Sequence, residues 1–236
     1  MKRLFKTPEK TLIFLHIPKC AGTTLTEEIL KHRFLTRHLL VFYEGGTRDL
    51  IQKLESMPMH EQKRIFCIAG HFAFGIHRFY QARPVEYVTI LRDPVERVIS
   101  HYLYVQRHPE HPLHERVTQP GFTIRDYVES GITPEVRNGQ TRLLAGLGRG
   151  NLPDREMLDA ARKNLDGFFR VVGLTEDFDD FLQKLRAAMH WPQLHYSKRN
   201  VSDYSSRSME LDTETLEVIR SFNRLDEALV DHVRTK

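Results

Sequence analysis

Short, continuous apolar runs rich in β-branched residues recur at 11–17, 38–43, 65–69, 85–91 and 168–174. Each has strand length and reads as a buried strand. Between the runs the apolar spacing changes to three and four. From Thr23 onward Leu25, Ile29 and Leu30 share one helical face, with Glu27 and Glu28 in the first turn. Leu50, Ile51 and Leu54 repeat that spacing over 48–57, which Pro58 ends. A helix over 94–106 follows Asp93 as N-cap, with Pro94 at its first position. Further helices are predicted over 122–130, 136–147, 154–165 and 175–189, the last with Thr175, Phe178 and Phe181 as its capped, apolar start. One long closing helix is predicted over 212–233. Residues 1–10 are a polar lead-in, Gly45-Gly46 is a turn, 146–151 is a break, and 108–120 and 192–208 read as loops.

Strands alternating with helices predict an α/β fold, a parallel sheet flanked by helices, in a single domain. Ligands of such sheets bind off the carboxyl ends of the strands. His16, Lys19, His71 and Arg92 all fall at such ends.

Composition narrows the class. A chain of 236 residues with 40% hydrophobic and 28% charged residues can build a large core, which argues against disorder. The net charge of +4 is too small to argue for nucleic acid, though one local cluster on an anionic ligand would account for it. Cys20 and Cys67 lie far apart and form no CxxC pair, against a disulfide scaffold or structural zinc. The apolar run at 12–17 is too short for a membrane span or a signal core. These features predict a soluble, cytoplasmic protein.

The first strand, the turn at 18–22 and the following helix make a candidate anion site. Free N–H groups and the helix dipole point into the turn. Gly22 permits close approach, Thr23 and Thr24 add hydroxyls, and Lys19 adds a point charge. The segment fits neither the Walker pattern, which places Lys after the second Gly, nor the three-glycine dinucleotide fingerprint. On its residues alone it is either a phosphate-binding loop or an ordinary strand–turn–helix.

Two stretches together carry a family resemblance. His16-Ile-Pro-Lys-Cys-Ala-Gly-Thr-Thr-Leu25 resembles the 5′-phosphosulfate loop of sulfotransferases, and Leu91-Arg-Asp-Pro-Val-Glu-Arg-Val-Ile-Ser-His-Tyr102 resembles their 3′-phosphate segment. Gly70-His71, Asn138-x-Gln-Thr-Arg-Leu-Leu and Val172-Gly-Leu-Thr-Glu176 extend the likeness over most of the chain. It is nearest to the carbohydrate type that includes heparan sulfate 2-O-sulfotransferase. The resemblance implies a P-loop-like sulfotransferase fold. It implies 3′-phosphoadenosine-5′-phosphosulfate as donor and a hydroxyl acceptor, on a carbohydrate or small molecule, with no metal. The glycan-modifying members carry a membrane anchor and lumenal stem that this shorter chain is expected to lack.

The resemblance also implies roles. Lys19, the backbone from Ala21 and Gly22 to Thr24, and the hydroxyls of Thr23 and Thr24 would hold the 5′-phosphosulfate. Arg92 and Ser100 would hold the 3′-phosphate. Lys198 and Arg199, in a late loop, are read either as closing over the nucleotide or as a solvated charge pair. Lys19 would neutralise charge on the bridging oxygen, and His71 would be the general base. Arg97 is read as a structural ion-pair partner, His16 as a support, and His101 as packing or surface. Cys20 is given no chemical role. His108, His111 and His114 are read as exposed histidines that fit no metal pattern. Two alternatives stand beside this reading: a nucleotide-dependent phosphotransferase using the same loop, and a non-catalytic module that holds an adenosine nucleotide.

Overall fold

The computed structural model describes residues 8–34, 38–148, 152–193 and 211–236. Strand β1 (Thr11–Leu15) lies at the centre of a parallel five-stranded sheet with β2 (Leu39–Phe42), β3 (Cys67–Gly70), β4 (Val85–Leu91) and β5 (Phe169–Leu174). The order is β2-β3-β1-β4-β5. Leu12 pairs with Cys67 on one side, and Thr11 with Val85 on the other. All five β1 residues are buried because helices cover both faces of the sheet, as the unbroken apolar run requires.

The first strand runs into a continuous helical segment: α1 (Gly22–Thr24), a π-helical turn (Leu25–Leu30) and α2 (Lys31–Arg33). Then come α3 (Gly46–Ser56), α4 (Met59–Gln62), α5 (Pro94–Arg107), α6 (His114–Val117) and α7 (Ile124–Glu129). The chain closes with α8 (Gly139–Ala145), α9 (Asp154–Phe168), α10 (Phe178–Ala188), α11 (Thr213–Ser221) and α12 (Arg224–Arg234). Alternate β1 side chains enter different cores. Ile13 and Leu15 pack with Leu50 and Leu54 of α3, Met157 of α9 and Leu229 of α12. Leu12 and Phe14 pack with Leu25 and Ile29 behind the loop and with Phe181 of α10. Helices α5, α7 and α11 bury a third cluster of their own beside the sheet.

Four expectations about elements change. The closing helix is two helices, because Asn223 leaves the helical path to make tertiary bonds. Its buried amide donates to the carbonyls of Val136 (2.9 Å) and Ile219 (2.8 Å) and accepts from the Asn138 N–H (3.1 Å). The stretch 136–147 splits at Asn138, whose left-handed φ of 51° starts α8 and whose side chain accepts from Leu225 N–H (3.0 Å). The loop at 108–120 contains α6. Thr175 does not cap a helix: its N–H donates to Leu91 (2.9 Å), which prolongs the strand path, and α10 starts at Phe178. Asp93 does cap α5, accepting from Glu96 N–H (3.0 Å), with Pro94 next. Among the described residues no helix is long and apolar enough to cross a membrane.

Candidate active site

The loop after β1 turns on two non-glycine residues in the left-handed region, Lys19 (φ 69°) and Ala21 (φ 55°). Such conformations cost energy and are held by surrounding structure. They aim the backbone so that α1 begins at Gly22 facing the carboxyl edge of the sheet. A Cβ on Gly22 would lie 1.9 Å from the His16 ring, so only glycine lets that ring pack against the helix start. Thr23 is exposed at this helix start, whereas Thr24 is buried.

The neighbouring strand end is built the same way. A Cβ on Gly70 would meet the Phe42 carbonyl oxygen at 1.8 Å, and the next residue, His71, donates its N–H to that oxygen (3.0 Å). His71 Nδ1 lies 2.8 Å from the His16 carbonyl oxygen. A carbonyl only accepts, so Nδ1 carries the proton and Nε2 is left as the basic nitrogen. Burial lowers the His71 pKa below the ordinary histidine value; the His16 bond and Glu135 oppose it, and Lys19 adds to it. Burial, with His71 and Lys19 adding to it, holds His16 much lower still, so His16 stays neutral.

Arg92 stands at the end of β4. Its Nη1 donates to the Lys19 carbonyl (3.2 Å) and its Nη2 to Glu96 (3.3 Å). Gln140, fully buried, fixes the strand end through both halves of its amide. Its Oε1 accepts from Arg92 N–H (2.9 Å) and its Nε2 donates to the Arg92 carbonyl (2.8 Å). Cys20 Sγ lies 3.6 Å from the same Oε1, which gives the thiol a packing role. Burial pushes that thiol up to about 12, so it stays protonated at neutral pH. Behind Gln140, buried Asp226 accepts from the N–H groups of Gln140 (3.2 Å) and Thr141 (2.8 Å) and from the Thr141 hydroxyl (2.7 Å).

The α5 face completes the site. Arg97 is buried, lies 3.7 Å from Asp226 and donates to the Glu135 carbonyl, the ion-pair role expected of it. Ser100 is half-buried, one turn before Tyr104 on the same face. Lys19 Nζ sits 4.1 Å above the Tyr104 ring centre. Burial pushes the Lys19 ammonium down to about 8, with Arg92 and Arg107 adding to the effect. The Glu135 carboxylate lies 3.2 Å from Nε2 of buried His101. Burial raises the Glu135 carboxyl, but His101 and Arg97 outweigh it and bring it to about 2.

The three histidines read as exposed are half-buried fasteners of their loop. His108 Nδ1 bonds the Tyr104 carbonyl (2.7 Å), His114 Nδ1 bonds that of Val105 (3.0 Å), and His111 Nδ1 accepts from Leu113 N–H (3.2 Å). The Pro-broken loop satisfies its polar groups on α5 this way, which spacing alone does not reveal. Lys198 and Arg199 lie outside the described residues.

Lys19, Ala21, Gly22, Thr23, Thr24, Arg92 and His71 thus gather on one edge of the sheet, with Ser100 on the first helix beyond it. Sequence reasoning missed Tyr43, Tyr104, Glu135 and the amide role of Gln140. Tyr43 follows a strand end, the rule that had found His71 and Arg92, and Tyr104 lies four residues beyond Ser100. Glu135 carried no signal.

Residues 5–236 match the family model for galactose-3-O-sulfotransferase. The chain belongs to the galactose-3-O-sulfotransferase family. This family member is 24% identical over 193 residues to heparan sulfate 2-O-sulfotransferase 1 of Xenopus laevis, covering 75% of the chain and 54% of the frog protein. It is 25% identical over 274 aligned positions, gaps included, to heparan-sulfate 6-O-sulfotransferase 1-A of Danio rerio, covering 96% of the chain and 64% of the fish protein. The chain therefore spans less than two thirds of the length of these relatives. A sulfotransferase of Alicyclobacillus acidocaldarius, known from its crystal structure, aligns over 96% of both chains at 17% identity with a TM-score of 0.49.

Proposed function

We propose that this chain transfers the sulfuryl group of 3′-phosphoadenosine-5′-phosphosulfate to a hydroxyl, with a carbohydrate as the favoured acceptor. One observation carries the reading. Arg92 and Lys19, remote in sequence and assigned to the 3′-phosphate and the 5′-phosphosulfate carried on one ribose, are in direct hydrogen-bond contact through the Lys19 carbonyl. That proximity supports one site for a doubly phosphorylated adenosine. Family membership favours sulfuryl over phosphoryl transfer. The names of the relatives, both heparan sulfate sulfotransferases, favour a sugar hydroxyl.

The residues divide the work. N–H groups at the start of α1 and the exposed Thr23 hydroxyl bind the 5′-phosphosulfate. Arg92 and Ser100 bind the 3′-phosphate, Arg92 through charge-assisted bonds. The acceptor oxygen attacks sulfur in line, and the bond from sulfur to the bridging oxygen breaks. Its electron pair stays on the 5′-phosphate, where the Lys19 ammonium balances the new charge. The acceptor proton passes to His71 Nε2, the nitrogen left free by the bond at Nδ1.

The test pairs binding with turnover. At about 100-fold over Kd, 3′-phosphoadenosine-5′-phosphate should stabilise the protein by roughly 2.7 kcal/mol, on the order of 5–10 °C in Tm for a chain of this size. ATP, without a 3′-phosphate, should do much less. Incubation with labelled 3′-phosphoadenosine-5′-phosphosulfate and a panel of sugars should move label to one of them. Equal stabilisation by both nucleotides, with label reaching no acceptor, rejects the proposal.

A further inference from the structure

Three rings meet where β1, β2 and β3 end. His71 lies 4.4 Å from His16 and 4.7 Å from Tyr43, centre to centre, and Tyr43 lies 5.3 Å from His16. The Tyr43 hydroxyl donates to Thr26 Oγ1 at 2.7 Å. Thr26 is fully buried and belongs to the π-helical turn Leu25–Leu30. A π turn bonds residues five apart instead of four and locally widens the helix. That turn directly continues α1, whose first residues form the donor loop.

We propose that Tyr43 is a positioning residue for His71, tethered through Thr26 to the helix that binds the donor. The inference rests on the reading of His71 as general base. With Nδ1 held by the His16 carbonyl, the imidazole can still rock about that bond, and the flanking rings of His16 and Tyr43 limit the motion. The groups that face His71 are His16 just beyond β1, Tyr43 just beyond β2, Lys19 from the loop, and Glu135 from the 3₁₀ turn Pro134–Val136. His16 and Tyr43 are neutral near pH 7, and Lys19 and Glu135 act on His71 in opposite directions. Burial therefore sets the direction of its shift, and the Tyr43 ring supplies part of that burial. Because the tether starts on the donor helix, a shift of that helix on donor binding would be passed to the base.

The experiment is the pH profile of kcat/KM for Tyr43→Leu, Tyr43→Phe and Thr26→Val, with His71→Ala alongside. Removing the ring readmits water to His71, so its pKa rises and the acid limb moves to higher pH, by about half a unit or more. Turnover falls about tenfold as the base loses its orientation, with the donor KM unchanged. Tyr43→Phe keeps the ring and the limb. An acid limb in Tyr43→Leu that stays at the wild-type position overturns the inference, whatever happens to kcat. If Tyr43→Leu does not fold, Thr26→Val and Tyr43→Phe decide. A reduced kcat at unchanged donor KM supports the tether, and wild-type kcat in both overturns it. Wild-type turnover in His71→Ala overturns the underlying reading instead.

Discussion

The Lys19 ammonium rests 4.1 Å above the ring of Tyr104, so the cation assigned to the leaving oxygen is held by an aromatic face. Such a contact contributes about 0.5–2 kcal/mol. It offsets part of the repulsion from Arg92 and Arg107, which join burial in pushing the lysine down to about 8. The ammonium is present below that value and lost as pH rises through it. The donor kcat/KM should therefore fall above about pH 8, and a kcat/KM profile flat to pH 10 would remove Lys19 from the chemistry. Tyr104→Leu should lower kcat, and Tyr104→Phe should leave it near wild type.

His71→Ala should lower turnover by about 10²-fold or more, as expected for a lost general base. Binding of 3′-phosphoadenosine-5′-phosphate should survive, because His71 is directed at the acceptor. Burial lowers the His71 pKa, so the wild-type acid limb should lie below the ordinary histidine value. Stopped-assay rates across pH 4–8, measured beside a calorimetric titration, check both statements.

Arg92→Ala should weaken the nucleotide itself. A charge-assisted bond contributes roughly 1.5–3 kcal/mol, which corresponds to about 10- to 150-fold in Kd. Calorimetry with 3′-phosphoadenosine-5′-phosphate and with its analogue lacking the 3′-phosphate separates the cause. The variant should bind both alike, while wild type should prefer the first.

Asp226→Ala should act on stability first. Asp226 is fully buried, lies 3.7 Å from buried Arg97 and accepts three hydrogen bonds from Gln140 and Thr141. Removing one partner of a buried pair costs about 3–5 kcal/mol, on the order of 10 °C in Tm at this size. Because Gln140 also holds the Arg92 backbone, the folded fraction should bind nucleotide more weakly. A Tm within 2 °C of wild type, as an approximate bound, would show that the network carries little load.

Gly22→Ala should abolish nucleotide binding while leaving most of the fold. The added methyl would sit 1.9 Å from the buried His16 ring, which stacks on Phe14, so the start of α1 has to shift to make room. Far-ultraviolet circular dichroism close to wild type, with no thermal response to 3′-phosphoadenosine-5′-phosphate, is the expected pair of readings.

The apolar runs at 11–17, 85–91 and 168–174 were legible as buried strands because a two-sided parallel sheet demands unbroken hydrophobic sequence. Asp93-Pro94 announced a helix start for an equally local reason, since capping and a fixed φ depend on neighbours alone. His71, Lys19 and Arg92 were legible as site candidates because strand ends are where such sheets place ligands. What the local pattern could not show were breaks made for distant partners. Asn223 and Asn138 interrupt helical spacing in order to bond each other, across a separation in sequence that periodicity does not reach.

The chain's own order of residues thus determined the class of fold, the loop and the three strand-end groups, each through interactions a few residues long. Only tertiary structure decided that Gln140 joins the Arg92 strand end to Cys20, that Tyr104 holds Lys19, and that Tyr43 flanks His71. Those contacts join segments from separate strands and helices, and their geometry exists only once the sheet order has brought the segments to one edge.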